Sequence, residues 1–436
     1  MRILRQAVAA LMLWALFVVP AKAAGLIRDA DVEYALTQLA APVLRAAGVP
    51  SNLRVLVIDD PSLNAFVADN QHIFLNSGLI MKLGSAEALQ YVIAHEAAHI
   101  SNGHLARRAG NARAARTAAG LGMVLAAAAA ASGAPSVATG IAAGSQSAAL
   151  RQFLAHTRAE ESSADATALR SLLRAGIDPR AALEVHDIFR GQEALSATRQ
   201  DPYMRSHPLT RDRMRAAQGF VAGNAGQTRR DPGAAYWFDR AQGKLSAFLR
   251  APSWTLRRAN SSLSPDIALM REAVAHHRSS NLKKSLAAID RALAMRPKDA
   301  LYLELKGQIL LESRQFGPAV QVYAAAAKMA PNEALILGGL GRAQLAAGDP
   351  GAALAVLERA RARDFRDPRI LRDLAVAYAK TGQTGMASLV TAERYALQGR
   401  LEDARLHATR AEAQLPRGSG PWRRAEDVLS ATRHLR

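Results

Sequence analysis

From about residue 266 onward, small and apolar residues return with a period of 34 positions, which confines this part of the chain to stacked helical units. Leu303, Gly307, Leu310, Ala319, Tyr323, Ala326 and Pro331 define one unit. The preceding unit ends with Ala292 and Pro297, and the next contributes Leu337, Leu340, Gly341, Ala353 and Ala360. Within a unit, small residues let two antiparallel helices approach closely and the proline stops the second helix. Beyond Phe365 the period drifts. Residues 368–416 still read as helices ending at Pro416, and 417–436 as a tail or cap.

The chemistry lies upstream, in His95-Glu96-Ala97-Ala98-His99. His-Glu-x-x-His on a helix brings two imidazoles one turn apart, about 40° around the axis, so both reach one metal, with a glutamate beside it as base. A catalytic zinc takes three protein ligands and keeps a fourth position for water, so a third ligand is needed. His104 stands nine residues past His95, roughly 180° around a continued helix, and reads as a surface or second-layer histidine. The extended metzincin spacing also fails, because Gly103 and His104 are each one position off it.

Thr157 to Ala166 offers better ligands. Glu161 and Asp165 are four apart and share one face of a helix. One carboxylate can bind the metal, while Asp165 can accept the free imidazole N–H of a ligating histidine and fix its tautomer. Glu160 points about 100° away from Glu161, so only one of the two glutamates shares the face of Asp165, and spacing alone leaves the choice open.

These segments together resemble the HtpX and CAAX-prenyl-protease superfamily of gluzincin metallopeptidases. Asn64-Ala65-Phe66-Val67, His72 to Ile80, the HEAAH run and Arg158 to Asp165 follow its pattern in order. The resemblance is strongest to the BepA-like periplasmic branch, which carries C-terminal tetratricopeptide (TPR) repeats. It implies an α+β gluzincin-type metalloprotease domain, with the zinc helix beside a small sheet, followed by an all-α TPR solenoid. It implies Zn²⁺ held by His95, His99 and the glutamate of a Glu-x-x-Ala-Asp motif, which maps onto Glu161, with Glu96 catalytic and Asp165 behind the ligands. The family's His-Pro pair followed by Arg maps onto Ser206-His207-Pro208-Leu209-Thr210-Arg211-Asp212-Arg213. His207 is then expected near the metal, either stabilising the oxyanion or taking the fourth coordination position and holding the enzyme latent.

The N-terminus reads as an export signal. Arg2 and Arg5 precede an apolar run from Ala7 to Val19, and Ala21-Lys22-Ala23 forms a small-x-small cleavage site. Cleavage after Ala23 sends a soluble or peripherally membrane-associated chain to the periplasm. The 436 residues contain no cysteine, so neither a disulfide nor a lipid on Cys is available. Net charge is +19, or +16 once the signal's three basic residues are removed. The excess is spread along the chain, which disfavours nucleic acid as a partner and leaves polypeptides and anionic surfaces.

Residues 27–47 read as a helix, Arg54–Ile58 as a strand, and 65–67 and 72–75 as two more strands around Asp69-Asn70. His72 is read as a strand residue rather than a ligand. The 34 uncharged residues 117–150 read as two packed helices, with a membrane-dipping hairpin in peripheral membrane contact, or a mobile lid, as the alternatives. Residues 221–233 read as a loop. The expected domains are a signal peptide (1–23), a metallopeptidase domain (24–250), a linker (251–265), TPR repeats (266–416) and a tail or cap (417–436). The expected function is a periplasmic zinc endopeptidase degrading misfolded or misassembled envelope and outer-membrane proteins. Its polypeptide substrates arrive through the TPR groove, which also takes a protein partner. The alternative is a largely latent protease acting as a TPR scaffold or chaperone in outer-membrane protein assembly.

Overall fold

A computed structural model describes residues 25–50, 52–107, 157–196, 199–224, 226 and 231–433. The export signal and the 117–150 segment lie outside the described residues. None of the described helices is long and apolar enough to cross a membrane.

Among the described residues the sheet has four strands in the order β1 (Leu26–Ile27), β2 (Arg54–Ile58), β4 (His72–Asn76), β3 (Ala65–Val67). β2 and β4 run parallel, from Arg54 opposite His72 to Ile58 opposite Asn76. β3 folds back antiparallel on β4, with Ala65 opposite Leu75 and Val67 opposite Ile73, and forms one edge of the sheet. β1 forms the other edge and is not legible in the sequence, because two residues carry no alternation to read.

Helix α1 (Ala30–Ala46) opens where the Asp29 side chain accepts from the backbone N–H of Asp31 and Val32. Its face of Val32, Leu36, Leu39 and Val43 is fully buried. A short α2 (Ser77–Lys82) leads to α3 (Ala86–Ser101), which runs through the middle of the domain with every residue from Ala88 to His99 buried. A helix buried all round must satisfy its polar groups internally, and α3 carries Gln90, Tyr91, His95, Glu96 and His99 into that interior. Ser85 caps it through the N–H of Ala88, and Glu184 in turn binds the Ser85 hydroxyl at 2.6 Å. Gly103, at φ +69°, turns the chain back after the helix.

A helix over 157–174, here α4, lies against α3. It is followed by α5 (Ala181–Phe189), α6 (Pro202–Ser206), α7 (Arg211–Gly223) and α8 (Pro232–Leu249). The ends of α7 and α8 enter the stretch expected to be a loop; the Asn224 side chain bonds Phe220 O and closes α7. Residues 251–265 contain α9 (Pro252–Arg258) and a 3-10 turn (Ala259–Ser261).

The repeats are helix pairs: α10 (Pro265–Arg278) with α11 (Leu282–Met295), α12 (Ala300–Glu312) with α13 (Phe316–Met329), α14 (Ala334–Ala346) with α15 (Pro350–Arg363), α16 (Pro368–Lys380) with α17 (Thr384–Leu397), and α18 (Leu401–Gln414) with α19 (Gly420–Thr432). The first helices start at 265, 300, 334, 368 and 401, so the period does not drift at Phe365. What weakens there is the residue signature: α16 meets its partner through Leu374, Ala377 and Tyr378 rather than a glycine. In the earlier pairs glycine is required, since a Cβ on Gly307 would stand 2.7 Å from the Tyr323 ring and one on Gly341 2.4 Å from Leu357.

The repeats dock on the N-terminal half through buried ions. Arg240 of α8 is fully buried, with its guanidinium 2.7 Å from Asp31, 2.6 Å from Asp299 and 3.9 Å above the Tyr302 ring. Arg28, just before α1, binds Asp364 at 2.7 Å and Asp367 at 3.0 Å across the junction.

Candidate metal centre

His95 and His99 stand one turn apart on α3, as the spacing requires, and their Nε2 atoms lie 3.2 Å from each other. From α4, Glu161 brings Oε2 to 3.2 Å from His95 Nε2 and Oε1 to 3.5 Å from His99 Nε2. His207 follows α6, with Nδ1 3.3 Å from His95 Nε2 and 3.0 Å from Glu161 Oε2. One donor atom from each of these four buried residues lies within 4.8 Å of the others. Atoms at the corners of a tetrahedron about 2.0–2.1 Å from zinc stand roughly 3.3 Å apart, so this donor set has the right chemistry and the right size. Glu160 is not part of the cluster.

The electrostatics favour a positive charge in this cavity. Burial opposes a proton on His95, yet Asp165 and Glu161 outweigh it and raise the imidazole to about 9. Burial likewise opposes ionised Glu161, but the charge and hydrogen bonding of His207, with His95, hold its carboxyl well below the usual carboxylate range. A divalent cation meets the same preference that otherwise draws a proton.

The two histidines of α3 are each held from behind. His95 Nδ1 lies 2.9 Å from Asp165 Oδ1. His99 Nδ1 lies 2.9 Å from Nδ1 of His104, which is 1 % exposed. His104 is thus second-layer and not on the surface: the helix ends before it and Gly103 folds the chain back, so the angle of a continued helix does not apply. His72 is a strand residue whose Nδ1 bonds the Asp69 carboxylate.

Asp165 is itself clamped. Arg213 of α7 donates Nε–H to Oδ2 at 2.7 Å and an Nη2–H to Oδ1 at 2.8 Å, and Tyr91 donates its hydroxyl proton to Oδ1 at 2.9 Å. Burial disfavours the charge on Asp165, but the Arg213 guanidinium overrides it and holds the carboxyl far below its ordinary range. Through Nη1 the same arginine donates to Pro208 O at 2.7 Å and His207 O at 3.3 Å, joining the back of the His95 site to the His207 turn. Burial pushes His186 down to about 4, so it is neutral, and its Nε2 lies 3.1 Å from Tyr91 Oη. Tyr203 lies tilted against the His207 ring, 4.7 Å between centroids, and stacks on Phe189.

Glu96 lies beside the four-residue cluster and outside it. Its carboxylate is fully buried, accepts no hydrogen bond among the described residues, and has His207 Nε2 as an ionic neighbour at 3.5 Å. A buried carboxylate with unused acceptor capacity suits a base that receives a proton from water.

Sequence reasoning misses Tyr91, His186 and Tyr203. Tyr91 sits four residues before His95 on the same helix face, a spacing that could have found it. His186 and Tyr203 come from separate helices and carry no spacing signal. Arg213 falls within the His-Pro segment, but nothing local to that segment shows its role.

Comparison with known proteins gives a family for each half. The model of peptidase family M48 matches residues 27–221, and a tetratricopeptide repeat model matches residues 310–376. The chain is similar to the beta-barrel assembly-enhancing protease of Escherichia coli (strain K12), 25% identical over 404 residues that cover 90% of this chain and 81% of the relative. It is also similar to the putative beta-barrel assembly-enhancing protease of Vibrio cholerae, 30% identical over 175 residues, 39% of this chain and 35% of the relative. Among solved structures, MamA from Desulfovibrio magneticus RS-1 matches with a TM-score of 0.33 at 17% identity, covering 38% of this chain and 96% of that one. The chain thus joins a peptidase family M48 domain to tetratricopeptide repeats.

Proposed function

We propose that this protein is a zinc-dependent endopeptidase of the bacterial periplasm that degrades misfolded or misassembled envelope and outer-membrane proteins. The observation that carries the reading is the buried His95, His99 and Glu161 donor set with the unbonded Glu96 carboxylate beside it. Zinc bound there supplies a Lewis acid for the scissile carbonyl and makes its water acidic. Glu96 takes the proton of the attacking water at its carboxylate and returns it to the leaving amine. Asp165 keeps the His95 ring oriented and its Nε2 free to bind, and His104 does the same for His99. An extended substrate can add to β3, an edge strand among the described residues, by main-chain hydrogen bonds, which makes cleavage tolerant of sequence. The periplasmic location rests on the export-signal pattern of residues 1–23, and the substrate class on similarity to proteases whose names record enhancement of β-barrel assembly.

A second reading, a largely latent protease acting mainly as a scaffold or chaperone, is favoured by one contact set. His207 Nδ1 stands 3.3 Å from His95 Nε2 and 3.0 Å from Glu161 Oε2, where it would fill zinc's fourth position. The test is Glu96→Gln, nearly isosteric but unable to accept the proton. The variant should retain zinc and fold while losing cleavage of unfolded casein; retained turnover would remove Glu96 from the mechanism.

A further inference from the structure

The stretch that leads from α8 into the repeats is folded as α9 and a 3-10 turn, yet it leaves large apolar side chains in solvent. Leu249, Leu256 and Leu263 are 38 %, 38 % and 61 % exposed. A single exposed leucine needs no explanation, but three of them beside an aromatic residue, in so short a segment, form a patch.

The seating of α9 brings charge to the same surface. Thr255 and Ala259 are fully buried, so α9 rests on α8 and α10 by that face. Opposite Thr255, roughly 200° around the axis, stands the exposed Arg257, with Leu256 on one flank and the half-buried Trp254 on the other. Arg258 and Arg250 lie 4.8 and 5.7 Å from the centroid of the Trp254 ring. Arg278, at the end of α10, donates to Ala247 O and Arg250 O and so adds its charge here, with Lys283 and Lys284 following in the first turn of α11.

Arg250, Arg257, Arg258, Arg278, Lys283 and Lys284 are all exposed, and none has a carboxylate partner among the described residues. Other surface arginines do pair, as Arg180 does with Asp178 and Arg400 with Asp403. Residues 240–265 contain no carboxylate, and the two that flank them are engaged: Asp239 accepts the N–H of Leu263 at 2.7 Å, and Asp266 is held by Tyr236, Tyr302 and Arg296. Each unpaired cation near an anionic lipid surface strengthens binding about fivefold. Leucine adds apolar area to bury among acyl chains, and tryptophan favours the boundary between hydrocarbon and headgroups. A soluble polyanion engages the charges alone.

We propose that this face, residues 249–263 with Arg278, Lys283 and Lys284, docks on a bilayer that contains anionic phospholipid, with its leucines and Trp254 inserted at headgroup level. The surface is separate from the uncharged 117–150 segment and from the metal centre, and the proposal does not rest on the protease reading.

The test is cosedimentation of the exported chain with vesicles of phosphatidylethanolamine and phosphatidylglycerol, against vesicles in which phosphatidylcholine replaces phosphatidylglycerol. The anionic vesicles should bind about tenfold better or more, and salt should weaken that binding. Arg250→Gln, Arg257→Gln and Arg258→Gln together should lower affinity about a hundredfold, the product of three fivefold factors. Leu256→Ser with Leu263→Ser removes no charge and should still lower it about tenfold through lost apolar area. Trp254 emission should shift to the blue on the vesicles, and the shift should vanish in Trp254→Phe. Should the triple variant fail to fold, Arg257→Gln alone should show its own fivefold loss, about the worth of one cation. Equal binding to the two vesicle types, unchanged affinity in the arginine variants, or full binding by the leucine variant would overturn the proposal. Tighter binding of polyglutamate than of the anionic vesicles would identify an acidic polypeptide as the partner and overturn it as well.

Discussion

Replacing Arg213 by methionine should destabilise the peptidase half severely, and replacing Asp165 by asparagine as well should restore much of the loss. Both side chains are almost fully buried, 4 % and 5 % exposed, and are joined by two hydrogen bonds of 2.7 and 2.8 Å. Removing one partner of such a pair leaves an uncompensated buried charge and costs about 3–5 kcal/mol, whereas removing both is often close to neutral. For a domain of this size each kcal/mol lowers the melting temperature by about 2–4 °C, so Arg213→Met should melt about 6–20 °C below the parent. The double variant should recover most of that interval, since a neutral amide no longer needs a cation. It should not recover metal binding, because an amide in place of the Asp165 carboxylate holds His95 Nδ1 less firmly, with zinc affinity about 10–100-fold weaker. Calorimetry in the presence of a chelator reads the first effect without metal linkage, and zinc competition against a chromophoric chelator reads the second. Arg213→Met melting within a degree or two of the parent, or a double variant no better than the single one, would refute the reasoning.

Glu161→Ala should abolish stoichiometric zinc while Glu160→Ala keeps it, by metal analysis of purified protein; equal zinc in the two would remove Glu161 from the ligand set. His207→Ala should raise basal casein cleavage if the imidazole blocks the fourth position, and lower it about a hundredfold, with zinc retained, if it donates to the oxyanion instead. The closeness of His207 Nδ1 to both His95 and Glu161 favours the increase. Glu304→Gln should raise the melting temperature at pH 8 and leave it unchanged at pH 5. Burial lifts the Glu304 carboxyl from 4.5 to about 7 despite Lys244, so the stability of its neutral form is present below pH 4.5 and lost as pH rises through 7. A glutamine stays neutral throughout, and no gain at pH 8 would contradict this.

The parts of the site legible in the sequence are those that one helix fixes by itself. His95 with His99, and Glu161 with Asp165, follow from four-residue spacing, and β2, β3 and β4 from short apolar runs with a turn between two of them. Spacing fails where a helix stops. The angle assigned to His104 extrapolates a helix that ends at Ser101, and its place behind His99 depends on the left-handed turn at Gly103. Arg213, Tyr91 and His186 meet around Asp165 from three helices, and no local pattern announces such a meeting. The choice between Glu160 and Glu161 comes from resemblance, since both are compatible with a helix. In the repeats, period outlasts signature: α16 and α17 keep the spacing after the glycine that marks earlier pairs has gone.

The clamp on Arg28 also sets an order of events in time. Its carboxylate partners Asp364 and Asp367 lie 336 and 339 residues further along the chain. A polypeptide that emerges N-terminus first can therefore pair Arg28 with nearby Glu33 at once, but gains its two partners among the repeats only late in synthesis. Asp29 and Asp31, which open α1, likewise wait for Lys244 and Arg240. Contacts of such long sequence separation form slowly, because the entropy of closing the loop is lost before the bonds are gained. The first helix of the peptidase half is thus locked to the repeats only once Asp364 and Asp367, between α15 and α16, have been made, so the molecule reaches its finished form late in synthesis.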